Sequence, residues 1–305
     1  MNFLMTVDVE CQSMASNKED LETVRQIEGS ALPNLLDLFD RYDVTGTFYF
    51  TGKFAEVSPS SLELAKETGH EIGCHGYDHS PHRAFDLLSL VEQKEELAKA
   101  KNVIEPIAGR LKSFRAPALR INDFTVKALE DAGFSSDSSV ASQRFDGPFT
   151  FGSKRKLKWL VAPRKPYLLA YDSPFKKGGS NVLEIPVSAL GIPFIGTTLR
   201  INPTIIRKII GKMLYVESKI TNRPVVFLFH PNECLNYANV TATRRAKGTI
   251  EYIFADLIRQ RMKLRNMGPV ALRLLEDVLR DARDYGFDFP SISEYEKQWR
   301  LKSQK

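Results

Sequence analysis

Short apolar runs alternate with helix-length amphipathic segments along most of this chain, and that alternation narrows the fold more than any other feature. Phe3–Val9 is an apolar run, and Val44–Thr51 is rich in β-branched and aromatic residues. His70–His75, Lys112–Arg115, Phe134–Asp137, Val182–Pro186 and Pro224–Phe229 continue the series. Bounded by turn signals, such runs read as buried strands. Between them lie segments with helical spacing. Ser30–Tyr42 carries Leu32, Leu35, Leu36 and Phe39, Ser60–Thr68 is closed by Gly69, and Ser89–Glu105 is ended by Pro106. Asp123–Ala132 is closed by Gly133, and Pro203–Ile220 has proline in its first turn. Strands separated by helices pair in parallel, because each helix carries the chain back across the sheet. About seven such units predict an α/β fold, an irregular (β/α) barrel with its site at the C-terminal strand ends.

Two stretches interrupt the alternation. Ser142–Asp172 is rich in proline, glycine and aromatic residues, and Cys234–Met267 is polar and basic. A helix over Val270–Tyr285 follows, and Ser291–Tyr295 closes the pattern. The simplest organisation is a single domain over 1–305, with an insertion or lid at about 142–180 and a helical C-terminal extension at about 240–305. No uncharged apolar run is long enough for a membrane span. The opening residues lack the basic and apolar regions of a signal peptide, and three cysteines give no disulfide framework, so a cytoplasmic protein is expected. The net charge of +6 raises anionic partners as a class, although a solvated surface accounts for it as well. No nucleic-acid-binding motif is present, and no nucleic-acid partner is expected.

The residues able to do chemistry fall at predicted strand ends. Asp8 and Glu10 are two apart on the first strand, so both carboxylates point to the same side. His75 and His79 are four apart just past another strand, a spacing that puts both imidazoles on one face of a helical turn and suits two ligands of one Zn²⁺. Two imidazoles and a carboxylate would leave a position open for water, and the competing reading is a pair of surface histidines. Arg115, held before Pro117, is placed either to grip a carboxylate or to face solvent. His230 ends the wholly apolar strand Val225–Phe229, where it is either a general acid or base or a satisfied core histidine.

In this order the motifs resemble the polysaccharide deacetylase family, the NodB-homology or carbohydrate esterase 4 family. The pieces are Thr6-Val7-Asp8-Val9-Glu10, His75-Gly76-Tyr77-Asp78-His79, Arg115-Ala116-Pro117, Gly133 to Ser139, Glu184-Ile185-Pro186-Val187 and Phe229-His230-Pro231. The resemblance implies a NodB-type barrel with one divalent metal, Zn²⁺ above others. It implies that His75 and His79 are metal ligands, that Asp8 is the general base and that Arg115 orients it. The Ala118 N–H would donate to the oxyanion, and His230 would protonate the leaving nitrogen. Where the family commonly has two adjacent aspartates, this chain has Val9 in the second position, so Glu10 is the expected third ligand, in an Asp-x-acid form of the motif. Asp8 as a ligand, or a metal-independent relative, are the alternatives. The family's Asp-Trp motif that tunes the acid histidine is not evident, and Glu184 or Asp137 stand as substitutes.

The implied substrate is an N-acetylated or N-formylated amino sugar in a glycan or a lipid-linked precursor. Two segments bear on a peripheral membrane contact. Lys154–Leu160 mixes bases with Trp159, and Ile205–Leu214 sets Arg207, Lys208 and Lys212 beside Ile206, Ile209, Ile210 and Met213. Such segments either lie in a membrane interface or pack on the barrel. The alternative functions are an inactive, carbohydrate-binding relative and a non-sugar amidohydrolase. Cys11, Cys74 and Cys234 all lie near these motifs, as packing residues or as a thiolate ligand.

Overall fold

The computed structural model describes residues 1–16, 18–144, 158–237 and 259–303. Phe3–Val9 (β1) is buried at every residue, as a strand covered on both faces must be. Leu21–Gln26 (α1) begins at the Asp20 side chain, which accepts from the Glu22 and Thr23 N–H groups. A π turn over Ile27–Ala31 leads into Leu32–Arg41 (α2), and Thr47–Phe50 (β2) follows. Gly52–Val57 (α3), Pro59–Glu67 (α4), Glu71–Cys74 (β3), Leu90–Ala108 (α5), Ser113–Phe114 (β4), Thr125–Asp131 (α6) and Ser136–Asp137 (β5) continue the alternation.

Beyond the first stretch outside the described residues come the hairpin Tyr167–Ala170 (β6) and Ser173–Lys177 (β7), then Leu183–Glu184 (β8). Ala189–Leu190 (β9) and Ile192–Pro193 (β10) form a small separate hairpin. Gly196–Ile201 (α7), Thr204–Thr221 (α8) and Val225–Phe229 (β11) complete the sheet. Pro269–Asp284 (α9) and Ile292–Ser303 (α10) close the chain.

The main sheet runs β11-β1-β2-β3-β4-β5-β8-β6-β7. From β11 to β8 every pairing is parallel, whereas β6 pairs antiparallel with both β8 and β7. The expected irregular barrel is therefore present as a curled, incomplete one. Between β8 and β11 the rim is bridged at Ser188, whose N–H donates to the Val226 carbonyl at 3.0 Å and whose Oγ accepts from the Val226 N–H at 2.9 Å.

One expectation needs correction, and two others gain detail. The 90–108 helix runs through Pro106 and stops at Gly109, because a proline so near the C-terminus forfeits a hydrogen bond where few remain to be broken. The described end of the 142–180 insertion forms the β6–β7 hairpin, which extends the sheet. The C-terminal helices are part of the core, since Ala271, Leu275, Leu279 and Ala282 of α9 are buried in the cluster that also holds β1. Phe3, at the start of β1, packs its ring against Phe194, Tyr215, Phe227, Phe287 and Phe289 and so ties both chain ends and α8 together at the floor of the barrel.

Candidate active site

The opposite, C-terminal end of the sheet gathers the residues singled out in the sequence. Asp8 is the penultimate residue of β1, and Glu10 lies just beyond the strand. His75 follows β3, Arg115 follows β4 and His230 follows β11. All are buried except His79 and His230, which are half-buried.

The ligating atoms of Glu10, His75 and His79 lie within 4.8 Å of one another. The two histidines do not share a helical turn, as their spacing had implied. The segment turns at Gly76, whose φ of +69° only glycine adopts easily, and a Cβ there would press on Phe85 and Pro117. That bend, and a hydrogen bond from Gln12 Nε2 to the His79 carbonyl at 2.8 Å, bring His79 back over Glu10. His79 Nε2 stands 2.8 Å from Glu10 Oε2.

The protonation of His75 follows from its partner. Its Nδ1 is 2.8 Å from the Arg115 carbonyl, which can only accept, so Nδ1 carries the proton and Nε2 presents a lone pair to the site. Burial pushes the His75 imidazole down to about 4, against the opposing charge of Asp8, so it stays neutral as a ligand must be. Burial alone would raise the Glu10 carboxyl, but His79 outweighs it and holds Glu10 well below the usual carboxylate range. His79 Nδ1 is buried with no hydrogen-bond partner, and Glu10 Oε2 is buried with only the His79 Nε2 contact. Orphaned buried polar atoms are costly, and a cation among two imidazoles and a carboxylate would relieve them. The donor set thus fits a divalent ion. Cys74 is not among the clustered ligand groups, and burial pushes its thiol up to about 12, as it does that of Cys11.

Asp8 is held from one side only. Its Oδ1 accepts from Arg115 Nη1 at 2.9 Å, while Oδ2 is 3.8 Å from His75 Nε2. Arg115 is itself fully buried and fixed, since it donates to the Thr6 Oγ1, the Ser138 carbonyl and the Ser138 Oγ, and lies 4.6 Å over the Tyr49 ring. Ala116 is anchored by its N–H to Ser139 Oγ at 2.8 Å. Pro117 then leads into Ala118, an exposed residue in the left-handed region with φ 53°. A non-glycine residue held there costs of order 1–3 kcal/mol, and such strain gathers where a backbone group must be aimed.

His230 has a partner that the sequence reading missed. Its Nδ1 lies 3.1 Å from Glu233 Oε1, within the 3-10 turn Pro231–Cys234. Glu233 in turn accepts from Arg200 Nε at 2.5 Å, and both of those side chains are fully buried. The acid beside His230 is therefore Glu233, not Glu184 or Asp137. Burial works to lower the His230 pKa, but the Glu233 hydrogen bond and the charge of Glu10 raise it above the ordinary value. Glu233 lies against Gly196, where a Cβ would sit 2.2 Å from its Oε1. An acid three residues after a strand-ending histidine was the available signal. Arg200, on a different helix, offered none. Asp137 and Glu184 instead form a buried acid pair behind Arg115, where burial raises Asp137 to about 6 and Glu184 well above its ordinary value.

Residues 22–136 match the family model described as polysaccharide deacetylase. Over that segment the chain is similar to the polysaccharide deacetylase family. The matched span holds His75, His79 and Arg115, whereas Asp8, Glu10 and His230 lie outside it. The peptidoglycan deacetylase of Helicobacter pylori is 27% identical over 115 residues, 37% of this chain and 38% of that one. The chain spans about half, or less, of the curated relatives first in similarity. The fold is shared with a structure assigned to a polysaccharide deacetylase of Mycobacterium smegmatis, at TM-score 0.65 and 18% identity over 99% of this chain and 91% of that one. It is also shared with PuuE allantoinase, at TM-score 0.59 and 15% identity over 98% and 89%.

Proposed function

We propose that this chain is a hydrolase that removes an N-acyl group, acetyl or formyl, from an amino sugar in a glycan or a lipid-linked precursor. The observation that carries the reading is the grouping of an arginine-held carboxylate and a carboxylate-held histidine around the Glu10–His75–His79 cluster. Names among its relatives, peptidoglycan deacetylase and chitooligosaccharide deacetylase, support the substrate class. Three cysteines without a disulfide support a cytoplasmic setting.

Glu10, His75 and His79 would hold one divalent ion, Zn²⁺ by the character of the donors. When bound, such an ion acidifies water and polarises an acyl carbonyl. Asp8 takes up the proton of the attacking water on Oδ2, because Oδ1 is occupied by Arg115, which fixes the carboxylate's direction. The Ala118 N–H donates to the carbonyl oxygen as it gains charge. His230 delivers a proton from Nε2 to the leaving nitrogen, which departs poorly as an amide anion. Glu233 holds the other ring nitrogen and favours the protonated form. No step needs a covalent acyl-enzyme.

The test is acetate or formate release from N-acylated chitooligosaccharides and peptidoglycan fragments by metal-loaded protein. Asp8→Asn should cost at least about 10²-fold in rate while metal content is unchanged. A variant as fast as wild type would remove Asp8 from its role. Turnover of linear amides or ureides, with no glycan turnover, would move the reading to a non-sugar amidohydrolase. Glycan binding without any turnover would make the chain a non-catalytic relative.

A further inference from the structure

The helix α8 is apolar on two opposite faces. Ile210, Leu214 and Tyr215 are buried against the barrel. On the other side Ile205, Ile206, Ile209, Met213, Val216 and Ile220 are exposed by 66, 38, 50, 54, 38 and 77%. At 3.6 residues per turn these six fall within an arc of about 100° and form one stripe along the full length of the helix. A surface helix ordinarily presents polar side chains on that face. Exposed Lys208, Lys212 and Lys219 line one flank of the stripe at intervals of four and seven residues. Glu217 is the helix's one acidic residue, and it is neutralised by Arg164 at 2.5 Å and Arg223 at 2.9 Å. The face is therefore apolar, with lysines along one flank, where Lys208 and Lys212 share a groove with Asp277, Asp281 and Asp284 of α9. Trp159, read from the sequence as a neighbouring interfacial anchor, is buried in the core and does not belong to this surface, while residues 154–157 lie outside the described residues.

We propose that the exposed face of α8 docks on an anionic lipid bilayer, with the isoleucines and Met213 in the acyl boundary and the lysines at the headgroups. Charge selects this occupant. A stripe of apolar side chains flanked by lysines complements an acidic lipid surface. A second copy would instead bring the same lysine row against itself across a two-fold axis, where like charges repel. The helix starts at the end of the sheet that carries the site, because α7, which precedes it by a short turn, supplies the Arg200 that holds Glu233. Docking would thus bring the site to the membrane, where a lipid-linked sugar resides. That last consequence rests on the proposed function, while the docking does not.

Flotation of the full-length protein with vesicles of phosphatidylglycerol and phosphatidylcholine in equal parts tests the proposal, with phosphatidylcholine vesicles as the comparison. The protein should float with the anionic vesicles at low salt and less so at high salt. Ile209→Asp with Met213→Asp should cut the bound fraction by about tenfold, and Lys208→Glu with Lys212→Glu and Lys219→Glu by a similar factor on anionic vesicles. Circular dichroism and thermal melting confirm folding, which these exposed positions should not disturb, and turnover of a soluble substrate should be unchanged. Failure of the wild type to float, or flotation that persists in both variants, overturns the proposal. A wild-type dimer that the apolar variant dissolves would assign the face to a second copy and overturn it equally. Flotation without any deacylation would keep the docking and reject the catalytic reading.

Discussion

At the scale of single residues, the account depends on how each ionisable group is held. Asp8 meets Arg115 through one oxygen and keeps the other for the site. Glu233 raises the His230 pKa against the effect of burial, and a general acid loses its function as pH rises through its pKa. Glu233→Gln removes the charge that favours imidazolium, so the His230 pKa falls and the alkaline limb of the rate profile moves to lower pH. The same change leaves Arg200 without its ionic partner, at a cost to folding of roughly 3 kcal/mol or less, because Arg200 Nη1 still donates to the Lys263 and Arg265 carbonyls. Rate measurements across pH on the folded variant check this, and an unmoved alkaline limb would separate Glu233 from the acid. Most of these residues were legible in the sequence because strand-end position and spacing marked them. Arg200 was not, because its partnership with Glu233 spans two elements whose relation only the packing reveals.

Among the elements, the parallel strands were legible as short apolar runs, since burial on both faces leaves no polar side to alternate. The two-residue β4, β5 and β8 are shorter than their apolar runs, because pairing ends where the chain bends towards the site. The turn between His75 and His79 carries the clearest lesson. Four-residue spacing reads as a helix, but Gly76 makes a left-handed bend that achieves the same juxtaposition without one. The join between β10 and α7 makes a second demand. Gly196 lets the Glu233 carboxylate pass where any Cβ would collide. Gly196→Ala should therefore displace Glu233, lower stability by about 1–3 kcal/mol and reduce the rate together with the alkaline limb. Denaturant melts and a pH–rate profile read both effects. Wild-type values in both would mean that the Glu233 arrangement is not needed.

Over the whole molecule, one hydrophobic cluster runs from Phe3 to Tyr295 and places five strand ends around a common mouth. The barrel is open between β8 and β11, where Ser188 substitutes for a strand. The sequence could not show this, since the bridge uses a side-chain oxygen and three backbone groups rather than an apolar run. The segments at 145–157 and 238–258, where the lid and part of the extension were expected, lie outside the described residues. Among the described residues no helix is long and apolar enough to cross a membrane. The surface stripe of α8 escaped a full reading because periodicity alone cannot tell which of two apolar faces the barrel covers.

The central claim is that Glu10, His75 and His79 form a site for one divalent ion, and the most direct test is elemental analysis of the purified chain beside His75→Ala. The account predicts about one divalent ion per wild-type chain and its loss from the variant, with the fold retained. A folded wild type that takes up no ion, even after incubation with Zn²⁺ and other divalent ions, would contradict it, and the roles of all three residues would fall together.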